Sequence, residues 1–282
     1  MTAATNLLEE GINQELATDG IGGQLYVDVG GKVLVDVAVG SRAPPRAMVR
    51  ETVHNVWCAT KPVGAMAAGL LVDDGLIDPS SPLGSQVSTD SDLAGIKANL
   101  LELCNHRAGL AHPRAVEAQL AAEADRAAAV LTAVHRAPQE PAYSEYAGWA
   151  VLGRLLEEFD GIRGSEVVAK RTIEPLGLSD EMWFDLTFDE LAARQDRIGC
   201  YVAGLPLTAR PLLHDRTPEI ACSERVAMGG FASMRALARF HRAVLDVLGG
   251  TPRAGLPQPS TGADDAGGQP GPVVGPCAAT RL

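Results

Sequence analysis

Residues 56–65 read VWCATKPVGA, with Cys58 three positions ahead of Lys61 and Pro62 directly behind the lysine. From Thr60 the pattern changes, and residues 63–76 read VGAMAAGLLVDDGL, small and apolar nearly all round, the pattern of a helix buried on most sides and closely approached by its neighbours. Proline is tolerated only in the first turn of a helix, where the backbone N–H has no intrahelical partner. Pro62 therefore places the helix start near Thr60 and Cys58 at or beside the N-terminus, with Gly75 as the stop. Side chains three apart share a helix face. The positive end of the helix dipole and a neighbouring ammonium both favour cysteine as thiolate, so this pair can supply a nucleophile without a histidine. On spacing alone the plainer reading is a small buried cysteine filling a helix contact, with a lysine reaching solvent.

The chain has 282 residues, 46% of them hydrophobic, enough to bury one large core or two smaller ones. A net charge of -11 with no local cluster of Lys or Arg repels phosphate backbones and anionic lipid headgroups, so neither nucleic acid nor a membrane is an expected partner. The N-terminus lacks the basic and apolar regions of a signal peptide and reads as a short amphipathic helix carrying Leu7, Leu8, Ile12 and Leu16. No run elsewhere reaches membrane-spanning length, and a cytoplasmic protein is expected. The cysteines, Cys58, Cys104, Cys200, Cys222 and Cys277, are odd in number and scattered, which fits free thiols in a reducing compartment. His54 with Cys58, and Cys104 with His106, do not match structural zinc spacing, so no metal and no cofactor are expected.

Residues 24–39, QLYVDVGGKVLVDVAV, alternate so that Val33, Val35, Val37 and Val39 share a face, while Gly30 and Gly31 provide the positive φ angles of a tight turn; this predicts a β-hairpin. The stretch from Arg114 to Ala137 is rich in helix formers and ends before Pro138 and Pro141. Ser144 can cap a helix through EYAGWAVLGRLLEEF, with Ala147, Val151, Leu155 and Phe159 on one face and an end near Gly161. Another helix runs from Ser233 to Leu248 with Leu237, Phe240, Val244 and Leu248 as its stripe. Residues 249–282 have about two Gly or Pro in every five, no aromatic and no period, the composition of a disordered tail.

Cys58-Ala59-Thr60-Lys61 resembles the S-x-x-K signature of the serine β-lactamase, penicillin-binding protein and esterase superfamily, in which the serine accepts the acyl group and the lysine helps deprotonate it. Three further stretches resemble the same family, in the same order. LLELCNHRAGL (100–110) is similar to its leucine-rich segment ending in a histidine and a Gly-Leu pair. PAYSEYAGWAVLGRLLEEFDG is similar to the tyrosine motif of the class C-like branch, with Tyr143-Ser144-Glu145 over Tyr-x-Asn. AMGGFASMRALARFHRAVL (227–245) is similar to its glycine pair and following helix.

The resemblance implies an α/β (α+β) fold of the β-lactamase/transpeptidase type: a sheet domain from residues 1–76 and 226–250, with a mainly helical domain, 77–225, inserted in it and the site between them. It implies Cys58 as nucleophile, Lys61 as proton acceptor and Tyr143 as the group that reprotonates the leaving atom. Trp57, Glu145, Gly229 and Gly230 become substrate-side residues, and the substrate a small ester, thioester or amide. Three departures stand out. Cysteine replaces serine, Glu145 replaces asparagine, and no Lys-Thr-Gly or His-x-Gly follows Leu248. Glu145 beside Lys61 would favour the ammonium and hence an ion-paired thiolate. The missing motif predicts a sheet without its C-terminal strands, in a truncated, frame-shifted or shortened relative, or one whose sheet an oligomeric partner covers. Two functions are compatible with these residues: an acyl-transfer enzyme working through Cys58, and an inactive homologue that keeps the cleft as a binding module.

Overall fold

The first described strands, β1 (Gly22–Val29) and β2 (Lys32–Ala43), form an antiparallel hairpin. The structure, a computed structural model, describes residues 22–43, 46–110, 140–144, 146–184, 186–199 and 229–258, with a few isolated residues besides (6–8, 10, 11, 14, 134, 136, 137 and 226). The turn is as the sequence predicts: Gly30 and Gly31 take φ of 60° and 82°, and the Gly31 N–H donates to the Asp28 carboxylate at 3.0 Å. Val37 and Val39 are buried, whereas Val33, near the exposed turn, is not, and the register shifts between Val27 and Asp28. Two-residue β3 (Arg46–Ala47) adds to β2.

A second small sheet has β4 (His54–Asn55) and β5 (Met182–Trp183) on either side of β6 (Phe231–Ala232), all antiparallel. The longer described helices include α1 (Lys61–Asp73), α2 (Leu100–Cys104), α3 (Ala147–Asp160), α4 (Gly164–Val168), α5 (Phe188–Ala193) and α6 (Met234–Leu248). Among the described residues no strand follows α6. Leu7 and Leu8, in the few helical residues described near the N-terminus, are exposed, while Ile12 and Leu16 lie outside the described residues. The helix expected from Arg114 to Ala137 also lies almost wholly outside them.

The core centres on α1, buried from Val63 to Ala68 and at Leu71, with α3 and α4 packed against it. Its small residues permit that approach. A Cβ on Gly64 would stand 2.2 Å from Val226 Cγ1, closer than carbon atoms can sit. In α3 the expected row of Ala147, Val151 and Leu155 is buried, and Gly161 ends the helix in the left-handed conformation.

Three expectations are corrected. Ser144 is not the N-cap residue of α3; that is Tyr146, and Ser144 serves from outside the helix, its Oγ accepting the Gly148 N–H at 3.1 Å. In α6 Leu248 is exposed and Val247 is buried in its place. Successive steps of four drift round a helix of 3.6 residues per turn, and the buried stripe stays on one face by alternating steps of four and three, through Ala236, Phe240, Ala243 and Val247. Finally, the Gly/Pro-rich stretch is packed over its first residues. Leu256 is 2% exposed, the Gln258 N–H donates to Asp73 at 2.6 Å, and Pro257 lies where a Cβ on Gly69 would come within 2.8 Å. The composition averages over this one apolar anchor; residues 259–282 lie outside the described residues.

Two predictions follow from this packing. Leu256→Ala is expected to cost about 2–5 kcal/mol in urea denaturation; a loss below about 0.5 kcal/mol, the surface-substitution range, would show that the segment does not anchor the core. Burial also lowers the pKa of His54 from its ordinary 6.5, so the folded state binds fewer protons there than the unfolded chain does. Its contribution to stability is complete above pH 6.5 and lost as pH falls below it. His54→Gln is expected to flatten that acid limb in denaturation midpoints measured against pH.

Candidate active site

Cys58 sits in a single 3₁₀ turn, Trp57–Thr60, that leads directly into α1 with Pro62 in its first turn. Several contacts fix this turn. The Val56 N–H and the Asn55 side-chain amide both donate to the Gly230 carbonyl at 3.2 Å. The buried Thr60 hydroxyl donates to the Trp57 carbonyl at 2.7 Å and lies 3.3 Å from the Val226 carbonyl. Trp57 itself has φ of 49°, a left-handed backbone that a bulky residue adopts only when its surroundings hold it there. A Cβ on Gly230 would stand 2.3 Å from Thr60 Cγ2 and 2.6 Å from Phe184 Cζ, so only glycine lets the end of β6 approach the turn.

Lys61, only 6% exposed, donates from Nζ to Cys58 Sγ at 2.9 Å. Tyr143, 85 residues later in the chain, donates from its hydroxyl to the same sulfur at 3.2 Å. The sulfur thus accepts from an ammonium and a phenol together, which suits a sulfur carrying negative charge. The ammonium also lies over the rings of Tyr143 and Trp149, 5.4 Å and 5.7 Å from their centroids, so aromatic faces help to accommodate the buried cation. Tyr143 is 57% exposed, leaving the site accessible from that side.

The structure brings Cys58, Lys61 and Tyr143 together, sets Trp57 directly before the nucleophile candidate, and buries Gly229 and Gly230 behind the turn. Glu145 lies outside the described residues. Sequence reasoning passed over Trp149 and Thr60, and noted His106 only as part of a motif and as a rejected metal-ligand candidate with Cys104. The His106 and Tyr143 rings are 4.6 Å apart, and the His106 Nδ1 accepts the Ser144 N–H at 3.1 Å. Burial first and the Lys61 charge second lower the His106 pKa from its ordinary 6.5, favouring the neutral ring. The one available signal was His106's place three residues before the Gly109-Leu110 pair, which carries no information about a tyrosine so distant in sequence.

Cys104 is a different kind of thiol. The residue as a whole keeps some exposed surface, but its side chain is enclosed, and burial pushes the thiol up to about 12. It is inert beside Cys58. Among the described residues no group of three His, Cys, Asp or Glu side chains is arranged to hold a metal ion, and no helix is long and apolar enough to cross a membrane.

Comparison with solved structures shows the same fold elsewhere. The D-amino acid amidase from Ochrobactrum anthropi SV3, complexed with L-phenylalanine, matches with a TM-score of 0.62 at 19% identity, over 86% of this chain and 70% of that one. A family VIII carboxylesterase matches with a TM-score of 0.66 at 16% identity, over 91% and 73%. An octameric penicillin-binding protein homologue from Pyrococcus abyssi matches with a TM-score of 0.65 at 18% identity, over 86% and 56%. No curated protein sequence matches significantly. A family model described as Beta-lactamase matches residues 9–275, nearly the whole chain. With its mixed helix and sheet architecture and the S-x-x-K-like pair at the start of α1, the chain belongs to the beta-lactamase family.

Proposed function

We propose that this protein is an acyl-transfer enzyme that carries its acyl group on Cys58 as a thioester. The observation that supports it best is the convergence of Lys61 Nζ and the Tyr143 hydroxyl on one sulfur, at 2.9 and 3.2 Å. Lys61 takes the thiol proton, and Sγ attacks the carbonyl carbon of a small ester, thioester or amide. The tetrahedral adduct collapses with cleavage of the bond to the leaving oxygen, sulfur or nitrogen. Tyr143 protonates that atom and regains its proton from Lys61, so the charges balance over the half-reaction. Water or an amine then attacks the thioester, losing its proton through the same pair. A thioester favours amines over water more than an oxyester does, so replacement of serine by cysteine points toward transacylation. The amidase and carboxylesterase among the structural relatives fit acyl chemistry in this fold.

The same proposal takes the site to lie between a sheet part, 1–76 with 226–250, and a helical part, 77–225. Glu145 serves as a partner of the Lys61 ammonium, and the compartment is a reducing, cytoplasmic one in which Cys58 stays a free thiol. Assembly of copies over the open sheet belongs to it as well, and the octameric homologue supports that element. One observation favours a second reading, a non-catalytic binding module: Cys58 and Glu145 stand where the resembling motifs carry serine and asparagine.

Incubation with an activated chromogenic ester and intact-mass analysis tests the first reading. One acyl adduct is expected on Cys58, and none on Cys58→Ala. Tyr143→Phe is expected to slow acylation roughly a hundredfold or more while leaving folding intact. If the native protein gains no adduct and Cys58→Ser hydrolyses no ester, the binding-module reading replaces the enzyme.

A further inference from the structure

Tyr143 is more than half exposed, and it precedes α3 in a segment, 140–144, with no regular structure. A side chain so placed does not hold its hydroxyl on a sulfur by itself. What surrounds it on the protein side is His106, which grips the tyrosine's backbone on both flanks. The Ala142 N–H donates to the His106 carbonyl at 2.9 Å, and the Ser144 N–H donates to the His106 ring at Nδ1. The imidazole also lies against the Tyr143 ring, with the Trp149 ring edge-on at 6.0 Å on another side. His106 reaches this position through a left-handed backbone, φ 57°, just past the end of α2. Outside glycine that conformation is commonest for asparagine, aspartate and histidine. Ser144 continues the chain of contacts, its Oγ accepting from the first turn of α3.

We propose that His106 is the positioning residue for Tyr143: its neutral ring, accepting at Nδ1, aims the tyrosine hydroxyl at Cys58, and protonation of that nitrogen releases it. This deepens the acyl-transfer reading and rests on it. The logic is one of donor counting. A backbone N–H needs an acceptor, and Nδ1 accepts only when the ring's single proton sits on Nε2. A second proton goes onto Nδ1 and turns the contact with Ser144 into two donors facing each other.

Among the described residues, the charged and titratable groups around the ring are few. Lys61 faces it from α1, the Tyr143 phenol lies against it, and the Cys58 sulfur lies beyond that phenol. Cys104 and Arg107 flank it on its own segment. Glu145 lies outside the described residues. Burial and the Lys61 ammonium both oppose the second proton, so the ring stays neutral at pH 7 and protonates only below 6.5. Acylation is therefore expected to fall on the acid side, below His106's ordinary pKa.

His106→Asn is the discriminating variant, because asparagine tolerates the left-handed backbone and its Oδ1 can take the place of Nδ1 without titrating. Its single-turnover rate of Cys58 acylation is expected to match the native rate at pH 8 within a fewfold, while its acid limb moves to lower pH. His106→Phe keeps a ring beside Tyr143 and removes the acceptor. It is expected to lose about tenfold or more in acylation rate with little change in KM, the sign of a contact that matters in the transition state. Coincident pH profiles for the native protein and His106→Asn overturn the proposal, as does a full rate in the phenylalanine variant.

A readout that needs no substrate separates this from failure of the acyl-transfer reading. Long-range ¹⁵N–¹H spectra of the native protein are expected to show the proton of His106 on Nε2 at pH 8, with Ser144 amide protection lost as the ring titrates. A resting proton on Nδ1 overturns the positioning role whether or not Cys58 accepts an acyl group.

Discussion

The close approach of Gly230 to the Cys58 turn is the constraint on which the site depends. A single carbonyl, from the glycine that ends the approach to β6, accepts from both Val56 and Asn55, and the space where its side chain would be is filled by Thr60 and Phe184. This contact joins the small sheet to the start of α1. It lies beside the left-handed Trp57, the residue directly before Cys58. A turn of this kind stores conformational strain, and the surrounding packing maintains it. The buried Thr60 hydroxyl closes the loop by binding the carbonyl of the strained residue itself.

The other half of the site arrives from far along the chain. Lys61 comes with Cys58 because both belong to one helical start, but Tyr143 depends on α2, the residues around His106, and the segment before α3. The buried ammonium is surrounded by a sulfur and two aromatic faces. Such an arrangement holds a cation where water is largely excluded, at the cost of needing each neighbour in place. Burial first, and this ammonium second, lower the His106 pKa and favour its neutral ring.

Much of the fold was legible in the sequence, for reasons that differ from element to element. The hairpin announced itself through period-two alternation and a Gly-Gly turn, α1 through an unbroken run of small apolar residues, and α3 through Ala147, Val151 and Leu155. The errors arose where local pattern competes with packing. Leu248 follows a row of fours that the core does not follow, and Ser144, a good cap by type, lies two residues before the N-cap position while its Oγ still accepts the Gly148 N–H. Leu256 was lost in a Gly/Pro-rich average although it is an anchor. At the site, Cys58 and Lys61 were readable as a pair three residues apart, and Tyr143 only through its resemblance to a family motif.

By itself the sequence determined the local chemistry: that a helix begins beside Pro62, that a thiol and an amine lie together at its start, and where the chain reverses at Gly30 and Gly31. These follow from backbone sterics and from spacing along one helix, and both act over a few residues. Only the tertiary structure decided that Tyr143 would donate to that sulfur, that His106 would grip the tyrosine's backbone, and that Gly230 had to lack a side chain. Each is a contact between residues far apart in the chain, created by burial of the helices around α1, and no periodicity records which distant surfaces that burial brings together.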